Sequence, residues 1–227
     1  MIDLRFAIRQ LLKSPGFTLL AVLTLALGIG MNTAIFSLIN DLFLKGLPFQ
    51  KPGELVVLQA EAKERGLSQL PMSVPRYWHF RDGQTVFSSF AADNGTGFIL
   101  TGRGDPVQII GANTTANYFE TIGIHPILGR TFLPEEEMKA DVALISQNFW
   151  RKHLNSDPRA IGQSLTLNGV ATTIIGVLPN PPVAWFGRDC DIFTVKPFQL
   201  PGLTQDRLMR GVSFLRVVGR LKPGVTA

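Results

Sequence analysis

Between Lys13 and Asp41 the chain carries no charged side chain, and no other feature restricts its fold so strongly. Most of that gap belongs to the apolar stretch Phe17 to Phe43, FTLLAVLTLALGIGMNTAIFSLINDLF, which runs just past Asp41. At about 1.5 Å rise per residue the uncharged run gives about 40 Å of helix, enough to cross a hydrocarbon core of about 30 Å with room to tilt. Later apolar runs such as TTIIGVL and ALISQNFW have strand or short-helix length and are interrupted by polar residues. One transmembrane helix is expected over residues 17–44, with everything after it on one side of a bilayer. A cleaved signal peptide needs an apolar region of only about 7 to 15 residues and a small-residue cleavage site. This run is longer and ends in NTAIFSLINDLFLKGLPF, without an A-x-A pattern. A buried core helix is the other rival, but a helix with no polar face would need a larger body around it.

Flanking charge sets the orientation. Arg5, Arg9 and Lys13 recur at four-residue spacing, one stripe of a helix, with Ile2, Phe6, Ile8, Leu11 and Leu12 as apolar cover. Residues 1–16 are therefore expected as an amphipathic interfacial helix, placed on the cytoplasmic side by its positive charge. Lys45 and Lys51 on the opposite flank reduce that contrast. Ser14-Pro15-Gly16 breaks the helix where the chain turns into the bilayer. Within the span, Ala26, Gly30 and Ala34 form a small-xxx-small series, and Asn32, Thr33, Ser37 and Asn40 seek partners in hydrocarbon. A solitary anchor needs neither, so the span is expected to pack against other helices.

After the span about 180 residues remain, enough for one sizeable core or two small lobes. The net charge of +5 is spread without a block of like charges, so nothing marks a nucleic-acid partner. Cys190 stands alone, which leaves a domain in an oxidising space to rest on its hydrophobic core. The order of elements favours α+β over a doubly wound sheet. GLPFQKPG is a turn-rich stalk into a first strand ELVVLQA, and SVPRYWHFRDG is a helix opened by Ser73 and Pro75 and stopped by Gly83. After VFSSFAA, the stretch DNGTGFILTGRGDPVQIIGANTT predicts a hairpin turning at Gly102 to Pro106. TANYFETIG reads as a short helix, HPILGRTFLPEEE as a loop, and DVALISQNFWRKHL as a strand entering a helix capped by Ser146. In SLTLNGVATTIIGVLP two alternating runs meet at Asn168-Gly169, the pair a type I′ hairpin requires. DIFTVKPF predicts a strand, Thr204 to Arg210 a short helix, and SFLRVVGRLKPG a last strand.

Catalytic signatures are missing. There is no G-x-x-x-x-G-K-[ST] phosphate loop and no G-x-S-x-G elbow. His79, His125 and His153 have no second ligand at metal spacing. Asp189 and Asp191 flank Cys190 and disfavour its thiolate. Glu135 to Glu137 suit a helix start better than a cation site. Arg103-Gly104-Asp105 sits in an expected turn, where such residues are ordinary. Asn94-Gly95-Thr96 and Asn113-Thr114-Thr115 match glycosylation acceptors. Trp78, Trp150 and Trp185 are expected mostly in the core. No catalytic, cofactor or metal residue is assigned.

Several motifs, taken in order, carry a family resemblance: LRFAIRQLLKSPGFT, LTLALGIGMNTAIFSLIN, LPFQKPGELVVL, NYFETIGIHPILGRTF, VALISQNFWRKHL, DPRAIGQSLTLNGVATTIIGVLP and VVGRLKPGVT. Together they resemble the N-terminal part of a MacB-like (FtsX superfamily) ABC transporter permease over nearly the whole chain. The resemblance implies a first transmembrane helix followed, over residues 45–227, by a periplasmic core domain of two α+β lobes. It implies a homo- or heterodimer with another permease chain in the cell inner membrane, bound to an ABC ATPase subunit and serving a periplasmic adaptor. In such permeases ATP-driven closure is transmitted through the spans to the outer domain, for efflux or envelope remodelling, and the permease itself catalyses nothing. Arg5, Arg9 and Lys13 would then lie at the cytoplasmic interface, and Ala26, Gly30, Asn32, Ala34 and Ser37 would face other helices. Relatives continue into three further spans, so the chain is expected to be a fragment or a truncated product. A stand-alone membrane-anchored binding or sensor module is the alternative, and an anchored enzyme the third.

Overall fold

The computed structural model describes residues 13–39, 49–102, 104–180 and 189–225. The chain divides into two compact units, residues 1–46 and 47–227. In the first, helix α1 (Pro15–Ile39) is continuous and, within Pro15–Ser37, has no buried residue. Two of its hydroxyls satisfy themselves one turn back, Thr18 on the Ser14 carbonyl at 3.0 Å and Thr24 on the Leu20 carbonyl at 2.8 Å. Such back-bonding lets a polar side chain sit in an apolar helix.

The second unit is a mixed α+β domain. Its strands are β1 (Leu55–Leu58), β2 (Ala60–Ala62), β3 (Leu67–Leu70), β4 (Met72–Ser73), β5 (Phe87–Thr101), β6 (Val107–Thr114), β7 (Leu128–Gly129), β8 (Val142–Ser146), β9 (Ser164–Leu167), β10 (Val170–Leu178), β11 (Ile192–Thr194) and β12 (Ser213–Leu221). Its helices are α2 (Val74–Gly83), α3 (Tyr118–Ile122), α4 (Gln147–Leu154) and α5 (Gln205–Met209). The main sheet runs β1-β12-β5-β6-β11-β8-β10-β7, with β4 on β12. Strand β9 pairs with both β10 and β5, which closes β5-β6-β11-β8-β10-β9 into a ring of hydrogen-bonded strands.

Alternation along the strands distributes the core. Ala91, Ala112, Leu144, Phe193 and Val218 pack with α3 residues Tyr118, Phe119 and Ile122 on one face. Their chain neighbours face the other way into two separate clusters. Ala143, Ile145, Ile174 and Ile192 fill the ring, together with Phe149 and Leu154 of α4. Met72, Val74, Tyr77, Ala92 and Val217 form the second, under α2. The two clusters on this face are thus distinct as cores while one sheet runs through both.

Strand β5 joins them. It is fifteen residues long, about 50 Å at strand rise, and Gly95 and Gly97 do not interrupt it. Residues 87–93 pair with β12, residues 93–100 pair with β6, and the β6 ladder holds both glycines extended.

Most local expectations are met. Helix α2 starts after Ser73 with Pro75 in its first turn, and Ser146 caps α4, its hydroxyl accepting from the Phe149 N–H at 2.9 Å. Asn168 and Gly169 have φ of 51° and 82°, as a type I′ turn demands. Other elements differ. The strand expected over ELVVLQA ends at Leu58, and AEAKERGLSQL forms an unanticipated hairpin of β2 and β3. HPILGRTFLPEEE is more than a loop, holding β7 and a 3-10 turn at Pro134–Glu136.

Glu136 in that turn illustrates a pH effect. Arg130 donates to both its carboxylate oxygens, at 2.6 and 2.9 Å, and holds it below the usual glutamate range against the opposing effect of burial, with help from the Leu133 N–H. A carboxyl depressed in the folded state adds stability above its unfolded pKa and loses it as pH falls through the folded value. Arg130→Gln is therefore expected to lower stability by about 1 kcal/mol at pH 7, the half-exposed arginine keeping the effect small. In urea titrations the variant and the parent chain should converge in acid, once pH has fallen below the depressed value of Glu136 in the folded state. A gap that persists in acid would show that the pair contributes nothing through ionisation.

Candidate functional site: the span and the root of the sheet domain

The residues marked for helix packing lie on α1 and are all exposed. At about 100° per residue, Ala26, Gly30, Ala34 and Ser37 fall within a band of roughly 80° on one side of the helix. A Cβ built at Gly30 would meet nothing within 4 Å, so a second backbone could approach there. Asn32 lies about 200° from Gly30, on the opposite side. It makes no hydrogen bond among the described residues. Lys13 is exposed at the start of the described segment, while Arg5, Arg9 and Asn40 lie outside the described residues.

The sheet domain's first described residues are tied firmly to its core. Phe49 is 6% exposed and packs in the cluster with Ile122 and Ile124, just beyond α3. Gln50 shares a hydrogen bond with His125, Nε2 to Nε2, at 3.2 Å. Glu54 receives Lys51 at 3.2 Å and Arg220 of β12 at 3.4 Å. Arg220 also donates through Nε to the Thr121 carbonyl at 2.9 Å, at the end of α3. Three separate contacts therefore bind residues 49–54 to α3 and β12, and a pull on this segment would be carried into the sheet. Sequence reading treated the same residues as a plain stalk, because the partners lie at positions 119–125 and 220 and no local pattern joins them.

Several polar groups elsewhere hold the fold together. Asp93 of β5 lies opposite Arg216 of β12, whose guanidinium donates to both carboxylate oxygens at 2.8 and 3.0 Å and to the Tyr118 hydroxyl at 3.1 Å. Burial pushes the Tyr77 phenol up, and its hydroxyl donates to the Phe90 carbonyl at 3.3 Å. Glu137 accepts from the Ala116 N–H at 2.8 Å rather than opening a helix. Cys190 is buried, and Asp191 accepts from the Ser146 hydroxyl. His125 meets Gln50, His153 stacks on Phe149 with centroids 4.6 Å apart, and His79 lies against Phe80. Among the described residues no three His, Cys, Asp or Glu side chains gather where a metal could be held.

The two glycosylation matches are corrected by burial. Asn94 and Asn113 are 3% and 7% exposed. Both side chains are hydrogen-bonded inside the domain, which leaves no room for a glycan on either amide in this fold. Trp78 and Trp150 pack against the core clusters; Trp185 and Arg103 lie outside the described residues.

An apolar span and a two-cored mixed sheet domain can be compared with known proteins. The sequence model of the MacB-like periplasmic core domain family matches residues 18–227. No curated protein sequence matches the chain. Among solved structures the fold is similar to a domain, from Porphyromonas gingivalis, of a protein described as a permease: TM-score 0.58, 16% identity, covering 78% of this chain and 79% of that one. It is also similar to the periplasmic region of MacB from Actinobacillus actinomycetemcomitans, with TM-score 0.56, 11% identity and 76% of each chain covered. The extracellular domain of the ABC-type transporter YknZ from Gram-positive bacteria gives TM-score 0.51 at 13% identity, covering 75% of this chain and 83% of that one. At such identities the likeness shows the fold alone. The family match, with a fold to agree with it, places the chain in the MacB-like periplasmic core domain family of ABC-transporter permeases.

Proposed function

We propose that this chain is a non-catalytic permease subunit, or the N-terminal part of one, of a MacB/FtsX-type ABC system in the cell inner membrane. In this reading α1 crosses the bilayer and Arg5, Arg9 and Lys13 rest on its cytoplasmic surface. Ala26, Gly30, Ala34 and Ser37 pack against helices of the same or a second permease chain, and Asn32 meets a partner on the other side. ATP hydrolysis takes place in a separate ATPase subunit, and motion reaches the extracytoplasmic domain, where a periplasmic adaptor can dock, for efflux or envelope remodelling. The observation that carries the reading is the tethering of residues 49–54 to α3 and β12, because a mechanical transmitter needs a stiff attachment at the point where force enters the domain.

The test is co-purification. The chain, co-expressed with an ABC ATPase of the same source and extracted in mild detergent, is expected to elute with that ATPase at fixed stoichiometry. Phe49→Ala combined with Arg220→Gln is expected to leave the complex and its ATP turnover in place. ATP-dependent changes in protease sensitivity of the sheet domain should fall by about tenfold, since loosened packing yields before it transmits. Clean separation from the ATPase would sink the reading and favour a stand-alone anchored binding module.

A further inference from the structure

The six-stranded ring is filled at one end by α4, whose Phe149 and Leu154 belong to its core. Its other end is open. A cleft of about 430 Å³ enters there, between the tip of the β9–β10 hairpin and the segment that leads into α5. Barrel mouths of this size are frequent ligand sites, because the strands hold the walls rigid while the mouth stays open to solvent.

The lining is specific in chemistry. Phe98 and Val170 from the ring and Leu203 and Leu208 from the other wall line the cleft and make it apolar on both sides. Where deeper layers of the ring hold leucine and isoleucine, the floor of the mouth holds Asn113 and Thr194, 7% and 9% exposed. The Thr194 hydroxyl donates to Asn113 Oδ1 at 2.5 Å, and Asn113 Nδ2 donates to Asn94 Oδ1 at 3.4 Å. Asn94 Nδ2 in turn donates to the Pro197 carbonyl at 2.5 Å, which pins the start of the opposite wall. A primary amide has two N–H donors, so Asn113 keeps one beyond these bonds. The Asn168 carbonyl oxygen is taken by the Ile99 N–H at 2.8 Å, which leaves its NH2 for a ligand. The Thr96 side chain, also on the wall, makes no hydrogen bond among the described residues. The charged groups in the lining, Asp141 and Lys196, are bonded to each other.

We propose that this mouth binds an uncharged, amide-bearing chain with aliphatic side groups, the chemistry of a short neutral peptide segment. Aliphatic groups lie against Val170, Leu203 and Leu208, and amides bond Thr96, Asn113 and Asn168. A charged ligand is disfavoured because Asp141 and Lys196 already neutralise each other and the rest of the lining offers it no counter-charge. One wall belongs to the ring and the other to the segment carrying α5, which packs on α2. The site belongs to the sheet domain and stands whether or not the chain couples to an ATPase.

The experiment uses the full chain in lipid nanodiscs with methyl-labelled Leu and Val, titrated with N-acetyl-Leu-Thr-Leu-amide. Methyl signals of Val170, Leu203 and Leu208 are expected to shift and saturate, while Leu215 in the second core stays fixed. Ala140→Trp, which fills the mouth, is expected to weaken binding about tenfold or more by steric exclusion. If its spectrum shows a changed fold, Leu203→Asp, on the outer wall, serves instead with the same expectation. Peptides with Lys or Asp in the central position should bind about tenfold more weakly, through desolvation of the charge. 1-Octanol, which has no amide, should not compete. Absence of saturation, undiminished binding in the variants, or equal binding of octanol or the charged peptides would each overturn the proposal.

Discussion

Asp93→Ala is expected to destabilise the sheet domain by about 3 kcal/mol, the scale for removing one partner of a buried ion pair. The carboxylate side chain is 5% exposed and Arg216 28% exposed, so the loss would strand a guanidinium that water reaches only in part. Position adds to the effect. Asp93 is where β5 leaves its pairing with β12 and begins its pairing with β6, being opposite Arg216 on one side and Thr114 on the other. The Tyr118 hydroxyl, also bonded to Arg216, brings α3 into the same junction. Urea unfolding followed by tryptophan fluorescence measures the loss. Tyr118→Phe should cost only about 1 kcal/mol, one hydrogen bond to a charged group that retains its main partner. The double variant Asp93→Ala with Arg216→Met should recover most of the deficit, because it leaves no charge buried alone. A single-variant loss below about 1 kcal/mol would mean that water solvates Arg216 freely and that the pair does not hold the junction.

Gly111→Ala should be at least as damaging, about 3 kcal/mol or more, through overpacking against backbone. A Cβ at this position would lie 2.0 Å from the Ile192 carbonyl oxygen and 2.7 Å from Phe98 Cε2. Gly111 pairs with Ile192 in the parallel β6–β11 ladder, and β11, only three residues long, is the strand that connects β6 to β8. The carbonyl cannot move without parting that ladder, so the ring should open at β11. Hydrogen exchange of the β8 and β10 amides reports it directly, and these should lose protection before those of β1 and β12. Uniform protection across all four strands would show that the backbone can shift to accept a methyl group.

Several elements were legible without coordinates because their causes are local. The Asn168-Gly169 turn follows from two residues that accept positive φ, the Ser146 cap from a hydroxyl three residues before a free N–H, and α1 from an unbroken apolar run. Failures follow the opposite rule. Strand β5 read as separate pieces because glycine weakens an isolated strand, yet Gly95 and Gly97 are held by neighbours more than ten residues away in sequence. The β2–β3 hairpin went unforeseen because its residues are largely exposed and polar and lack alternation. Asn94 and Asn113 resembled surface acceptors because a three-residue motif carries no information about burial.

By itself the amino-acid sequence determined an apolar helix long enough to cross a membrane, a mixed α+β body and a family resemblance, all properties of residue type and spacing along the chain. Tertiary structure alone decided that β9 closes a ring with β5, that Asp93 meets Arg216 at the junction of two cores, and that Phe49, Gln50 and Glu54 are fastened to α3 and β12. Each of these joins residues between 65 and 166 positions apart. Contacts at such separation depend on how sheets register and helices pack, and no periodicity within a single segment encodes them.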